Sequence, residues 1–192
     1  MDMISDAELR ALVEKVVRRT MHGPEGHVES QPQTVVQVSI DNSDKKTVAL
    51  GADHGGYKMK EMLKTHLMKT GYQVIDCGTD STESVDYPDF AFAVAEKVKQ
   101  GTAWRGVIID GAGIGSCMAA NKVPGVRAAM CYDYATAVNS REHNDANVLT
   151  LGAGLIGENL ARQIVDTWLT TSFGGGRHAR RVEKITAIET KS

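Results

Sequence analysis

Cysteine is scarce in this 192-residue chain. The three that occur, Cys77, Cys117 and Cys131, are an odd number set far apart. They cannot close a disulfide framework, and none belongs to the paired spacing that holds zinc, so no metal is expected. Long apolar runs are also missing, and no charged leader followed by an apolar core marks export or membrane insertion. The expectation is a cytoplasmic protein with reduced thiols and no membrane partner. Charge of either sign is not in excess: 22 Lys and Arg stand against 24 Asp and Glu, for a net charge of −2. Without a basic stripe, a nucleic-acid backbone is an unsuitable partner and a small molecule is favoured.

A chain of this length with 42% hydrophobic residues can bury one ordinary core plus an appendage. The appendage is read at the start. Ile4 to Met21 has the pattern of an amphipathic helix, with Ser5 and Glu8 as a capping box and Leu9, Leu12, Val13, Val16 and Val17 as one apolar stripe. From His22 to Lys46 the composition turns to Gly, Pro, Ser, Gln, Asn and Asp, interrupted by the short run Thr34–Ile40. This is a tether that carries either a strand or a sticky patch. Three segments are therefore expected: 1–21 helix, 22–46 linker and 47–192 catalytic domain.

After Lys46 short apolar runs alternate with helical stretches, the pattern of a parallel sheet covered on both faces. The predicted strands are Thr47–Gly51, Gln73–Asp76, Gly106–Asp110, Ala128–Met130 and Val148–Leu151. The predicted helices are Tyr57–Thr70, Asp89–Gln100, Ser116–Lys122, Asp133–His143 and Asn159–Thr170, followed by a basic stretch, Arg177–Ile188. The fold class is α/β, a Rossmann-like three-layer sandwich on a central parallel sheet of about five strands. Ligands of such sheets bind at the carboxyl ends of the strands, so chemistry is sought after Leu50, Asp76, Asp110 and Leu151.

Four constellations could carry chemistry. Gly111-Ala112-Gly113-Ile114-Gly115 follows a strand and opens a helix, which lets successive N–H groups converge on an anion. It lacks a Walker lysine, and glycines equally serve tight packing. Asp110, immediately before it, is placed for proton transfer. Asp53-His54-Gly55-Gly56 offers a carboxylate and an imidazole, with a helix N-cap as the plainer role for Asp53. Arg141 to Asn147 crowds polar residues between a helix and a strand, and a catalytic His143 fits there. Gly174 to Arg181 delivers cations from a flexible turn, suited to phosphate oxygens or to a solvated basic face. Cys117, in the first turn after the glycines, suits a reactive thiol or simple packing.

The ordered set Gly51-Ala52-Asp53-His54-Gly55-Gly56, Asp76-Cys77-Gly78-Thr79, Val85-Asp86-Tyr87-Pro88, Gly111 to Gly115, Ala119-Ala120-Asn121-Lys122, Ser140 to Asn147 and Gly175-Gly176-Arg177-His178 resembles ribose-5-phosphate isomerase type B and its galactose-6-phosphate isomerase relatives. The resemblance covers about residues 47–188. It implies a sugar-phosphate ligand, a homodimer or dimer of dimers with shared active sites, and isomerisation through a cis-enediolate with neither metal nor cofactor. By the same resemblance, His143 helps open the sugar ring, while Asp53 and Asn144 hold hydroxyls and Tyr87 joins the substrate pocket. His54, Arg177 and Arg181 hold the phosphate, the arginines reaching in from the partner subunit. The amides of Gly111, Ala112, Gly113, Ile114 and Gly115 stabilise the enediolate oxygen.

The chain also departs from that family. One branch has a cysteine base where this chain has Asp110, and another has a glutamate base where it has Ser116. A hydroxyl residue of the family is here Ala112, and a phosphate-assisting arginine is here Gly154. Three explanations compete: Asp110 is itself the base, the pocket has changed substrate, or the protein binds without turnover. The leading expectation is interconversion of ribose 5-phosphate and ribulose 5-phosphate with Asp110 as the base.

The segment before the first strand resembles an encapsulation peptide of a bacterial microcompartment, a short helix with a narrow aliphatic stripe that docks on shell proteins. A helix packed on its own domain is the plainer reading. Binding to a membrane surface is disfavoured because the polar face mixes acids with bases and the apolar face lacks aromatics. The microcompartment lumen is the finer expectation for location.

Overall fold

A computed structural model describes residues 46–191. The expected helix Ile4–Met21 and the run Thr34–Ile40 lie outside the described residues.

Apolar alternation along the strands builds the sheet. In β1 (Thr47–Ala52), Val48 and Leu50 face one side and Ala49 the other. In β3 (Arg105–Asp110), Val107 and Ile109 oppose Ile108 in the same way. In β5 (Val148–Gly152), Leu149 and Leu151 oppose Val148. Successive side chains of a strand point to opposite faces, so each central strand feeds two cores, and all three are almost wholly buried. β2 (Gln73–Asp76) and β4 (Ala128–Met130) are shorter and only half buried, as edge strands are. All five are parallel in the order β2-β1-β3-β5-β4.

Three helices cover the first face, the third of them through Ala137. α1 (Tyr57–Lys69) contributes Met59, Leu63 and Leu67, and α5 (Glu158–Thr170) contributes Ala161, Ile164, Val165, Trp168 and Leu169. The opposite face is packed by small residues: Ala91, Val94 and Ala95 of α2 (Tyr87–Lys99) and Ala120 of α3 (Ile114–Ala120). Here α2 lies close to the sheet, because a Cβ at Gly106 or Gly51 would sit only 2.5 or 2.7 Å from Val94. α4 (Tyr134–Glu142) joins β4 to β5 and starts with a capping box in which Asp133 accepts from the Thr136 N–H at 2.7 Å. The basic C-terminal stretch forms α6 (Arg177–Thr186), which has no buried residue.

Most boundaries moved by a residue or two, and two helices begin two residues earlier than expected. The helix expected over Ser116–Lys122 runs instead over Ile114–Ala120, because left-handed Gly113 (φ 79°) completes the turn and releases the chain into the helix two residues early. The helix expected from Asp89 begins at Tyr87, with Pro88 in its first turn, where a missing N–H costs nothing.

At the amino edge of the sheet a column of alternating cations and rings closes the domain. Lys46 Nζ lies 4.1 Å from the Trp104 ring, and the Arg105 guanidinium lies 4.0 Å from Trp104 and 5.1 Å from Trp168. Arg141 follows at 5.7 Å from Trp168. Buried Arg105 donates to the carbonyls of Trp168 and Leu169 at 2.8 and 3.0 Å, satisfying groups that the end of α5 leaves open. Burial, with repulsion from Arg141, brings its pKa down to about 10, still charged at neutral pH.

Candidate active site

The strand order 2-1-3 places the topological switch point between the carboxyl ends of β1 and β3. The loops leaving these strands touch there: a Cβ on Gly55 would lie 3.6 Å from the Gly111 nitrogen. Asp53 is buried, and its Oδ1 accepts from the Gly56 N–H at 2.9 Å. That bond ties the carboxylate to Gly56, the residue that caps α1, and leaves Oδ2 without a protein partner. His54 is exposed, with Nδ1 3.2 Å from both the N and the O of Val85, so the loop before α2 is tied to the β1 loop. Tyr87 lies over the glycine turn, since a Cβ on Gly115 would come within 2.6 Å of its ring.

Asp110 ends β3 and is 4% exposed. Its Oδ1 accepts from the N–H groups of Ala112, at 2.8 Å, and Gly113. Its Oδ2 accepts from the N–H of Ser116 at 3.0 Å and from the hydroxyl of Ser116 at 2.5 Å. Two of the five amides of the expected cradle are engaged within the chain in this arrangement. Ala112 and Gly113 direct their N–H groups at the nearest anion, which is the chain's own Asp110, and only Gly111, Ile114 and Gly115 keep N–H groups without a protein acceptor. Thr150 steadies the turn by donating to the Gly113 carbonyl at 2.8 Å.

His143, Asn144, Arg177 and Arg181 are not at this crevice. β4 and β5 are parallel, so α4 must run back between them and end at the amino edge of the sheet. His143 caps that end, and the following Asp145 accepts from Arg141 and Arg127 at 2.8 and 3.0 Å. α5 likewise returns to the amino edge, and the Gly174 N–H reaches the Glu142 carbonyl at 2.9 Å, which sets the start of α6 beside His143. Strands of five to six residues separate the two edges by about 17–20 Å. One copy of the chain therefore holds the two sets apart, with Asp53, His54, Tyr87 and Asp110 on the carboxyl edge and His143, Asn144, Arg177 and Arg181 on the amino edge.

At the amino edge the rings of His143 and His178 stack with centroids 4.2 Å apart and planes within 2°. Burial first, then the proximity of His143, Arg177 and Arg181, holds the His178 pKa below its usual value, with Glu142 opposing. Neither this stack nor the hold of Ser116 on Asp110 was visible in the sequence, because each depends on where a turn or a distant helix lands.

Cys117 is not activated: burial pushes its thiol up, against weaker hydrogen bonding, and Sγ donates to the Ala128 carbonyl at 3.4 Å. Among the described residues no group of His, Cys, Asp and Glu is arranged to hold a metal ion, and no helix is long and apolar enough to cross a membrane. A larger cavity of about 660 Å³ opens between α1 and the loop after β2. Its lysines are already engaged, because Lys60 and Lys64 both donate to Asp76 at 2.7 Å.

Comparison with known proteins places these features among relatives. The Ribose/Galactose Isomerase family matches residues 48–185. Ribose-5-phosphate isomerase B of Escherichia coli (strain K12) is 47% identical over 146 residues, covering 76% of this chain and 98% of the relative. D-erythrulose-4-phosphate isomerase of Pectobacterium atrosepticum is 42% identical over 140 residues, covering 72% of this chain and 92% of the relative. The solved structure of Clostridium thermocellum ribose-5-phosphate isomerase B superposes with a TM-score of 0.75 at 56% identity, covering 76% of this chain and 98% of that one.

Proposed function

Because the chain belongs to the Ribose/Galactose Isomerase family, we propose that it interconverts an aldose phosphate and its ketose phosphate through a cis-enediolate, with ribose 5-phosphate and ribulose 5-phosphate the leading pair. The observation that carries this reading is the junction of Asp110 with the glycine turn. A buried carboxylate stands beside the unpaired N–H groups of Gly111, Ile114 and Gly115. In the forward direction the carboxylate takes the proton from C2, and the electron pair of that bond forms the C1–C2 double bond. The C1 oxygen gains negative charge, which amide donors stabilise, each by about 3 kcal/mol in comparable holes. The proton then returns to C1, while the hydroxyl proton on O2 passes to O1. Ser116 is the donor on Asp110 able to rotate away, freeing a lone pair on Oδ2 for the carbon-bound proton.

A complete site takes the carboxyl edge of one copy and the amino edge of another. This assigns His54 and a second copy's Arg177 and Arg181 to the phosphate, Asp53 and a second copy's Asn144 to hydroxyls, and a second copy's His143 to ring opening. The working assembly is a homodimer or a dimer of dimers. Gly154 and Ala112 leave room for a differently placed anion, so tetrose phosphates belong in the substrate panel. Residues 1–21 serve as an address to shell proteins through Ile4–Met21, 22–46 as a tether and 47–192 as the isomerase, acting in the cytoplasm inside a microcompartment lumen.

The test is proton exchange in deuterated water with ribose 5-phosphate, ribulose 5-phosphate and D-erythrulose 4-phosphate. A catalyst exchanges the carbon-bound proton next to the carbonyl even where net conversion is small. Binding without exchange on every substrate refutes turnover.

A further inference from the structure

His143 is the last residue to leave α4, and its ring is gripped from two directions. From one turn earlier on the same helix, Asn139 sets its Nδ2 2.9 Å from His143 Nδ1. An amide NH2 group only donates, so Nδ1 is the acceptor and, in the neutral ring, the proton sits on Nε2. From the first turn of α6, the His178 imidazole lies flat against the other ring, centroids 4.2 Å apart and planes within 2°. The contact fixes the plane of the His143 ring, while the hydrogen bond fixes its rotation within that plane.

We propose that Asn139 and His178 are positioning residues for His143, together presenting Nε2–H to the ring oxygen of a furanose substrate. The proposal rests on the reading of His143 as the ring-opening group. The charges around the stack agree with it. Arg177 and Arg181 on α6, and His143 itself, hold the His178 pKa down after burial, against Glu142 on α4. His178 thus stays a neutral platform.

The chemistry required is specific. An aldopentose 5-phosphate closes through O4 onto C1. To open it, the C1–O4 bond breaks, O4 takes the proton of His143 Nε2, and the C1 hydroxyl becomes the carbonyl. The proton lost from that hydroxyl is relayed through water to the same Nε2 as the first proton leaves, so the neutral ring is restored without passing through an imidazolate. The ketopentose 5-phosphate needs no such step, since the hydroxyl that would close its ring is esterified. Ring opening and enolisation can therefore be read separately on the same protein.

The experiment measures two rates in the full chain and in its His178→Ala, Asn139→Leu and His178→Phe variants. One is conversion of ribose 5-phosphate to ribulose 5-phosphate; the other is exchange of the C1 proton of ribulose 5-phosphate in deuterated water. His178→Ala and Asn139→Leu are expected to slow conversion by about tenfold to a hundredfold, a part of the general-acid contribution, while exchange stays within about twofold. His178→Phe keeps a flat ring against His143 and is expected to recover most of the conversion rate. A parallel fall in both rates would reduce the two residues to structural supports, and an unchanged conversion rate would remove them from ring opening. Absence of exchange in the unsubstituted protein would instead overturn the isomerase reading from which the proposal starts.

Discussion

Ser116 and Asp110 share a hydrogen bond of 2.5 Å beneath the glycine turn, with Ser116 wholly buried and Asp110 nearly so. The carboxylate is held by four donors, three of them backbone amides that cannot turn aside. Asp110→Asn keeps the size of the group but places an NH2 where a proton acceptor is needed. Turnover and exchange should fall by about 10²- to 10⁴-fold, with circular dichroism unchanged. Wild-type rates in that variant would take Asp110 out of the mechanism.

A site shared between two copies, as proposed, predicts complementation. Asp110→Asn and His143→Asn should each be inactive on ribose 5-phosphate alone. After subunit exchange, half the dimers are hybrids, and each hybrid holds one doubly substituted site and one intact site. Mixing equal amounts should therefore recover about a quarter of full activity, as two-fold symmetry requires. A mixture whose subunits have exchanged, yet which stays as inactive as its parents, would mean that one chain builds the whole site.

Acid should loosen the domain at Asp76. Burial alone would raise its pKa, but hydrogen bonds from Lys60, Lys64 and the Gly78 amide, together with the charge of Lys60, hold it below the usual 3.8. A carboxylate depressed in the folded state stabilises the fold above its unfolded pKa, and that contribution is lost as pH falls through the folded value. Unfolding midpoints in urea should therefore drop as pH falls below about 4. In Asp76→Asn this part of the acid sensitivity should vanish. That variant also leaves Lys60, 1% exposed, with only Glu61 at 2.8 Å, which costs about 3 kcal/mol. An unaltered pH dependence in Asp76→Asn would show that other groups govern it.

Removal of residues 1–30 tests the address proposed for them. Isomerase activity and dimer formation should persist, and co-assembly with shell proteins should be lost in a co-expression pull-down. If the dimer dissociates instead, the segment is a structural element and its role as an address fails.

The strands were legible because central parallel strands must be apolar on both faces: Gly106-Val107-Ile108-Ile109 admits few alternatives, and it lies within β3. Helices carried by an apolar stripe, such as α5, were equally plain. The helix start at Ile114 was not, since glycines read as a loop until the left-handed Gly113 is seen to turn the chain. At the site, motifs identified which residues matter but not on which edge they stand. Sequence order alone does not say that His143 and Asp53 stand on opposite edges, and only the return direction of α4 separates them. The amides of Ala112 and Gly113 were counted as free because hydrogen bonding by a neighbouring carboxylate depends on a torsion, not on residue type.

Both tryptophans of the chain belong to the cation column at the amino edge, Trp104 at its rim and Trp168 at its buried centre. Tryptophan fluorescence is consequently a one-sided gauge. It responds to whatever settles near Arg141 and the end of α4, where the proposed dimer would seat its second copy. Events confined to the glycine turn, a strand's length away, leave it dark. An emission change on diluting the protein would time the coming apart of the subunits, and occupancy of the Asp110 crevice would need a reporter placed there, for instance at Tyr87.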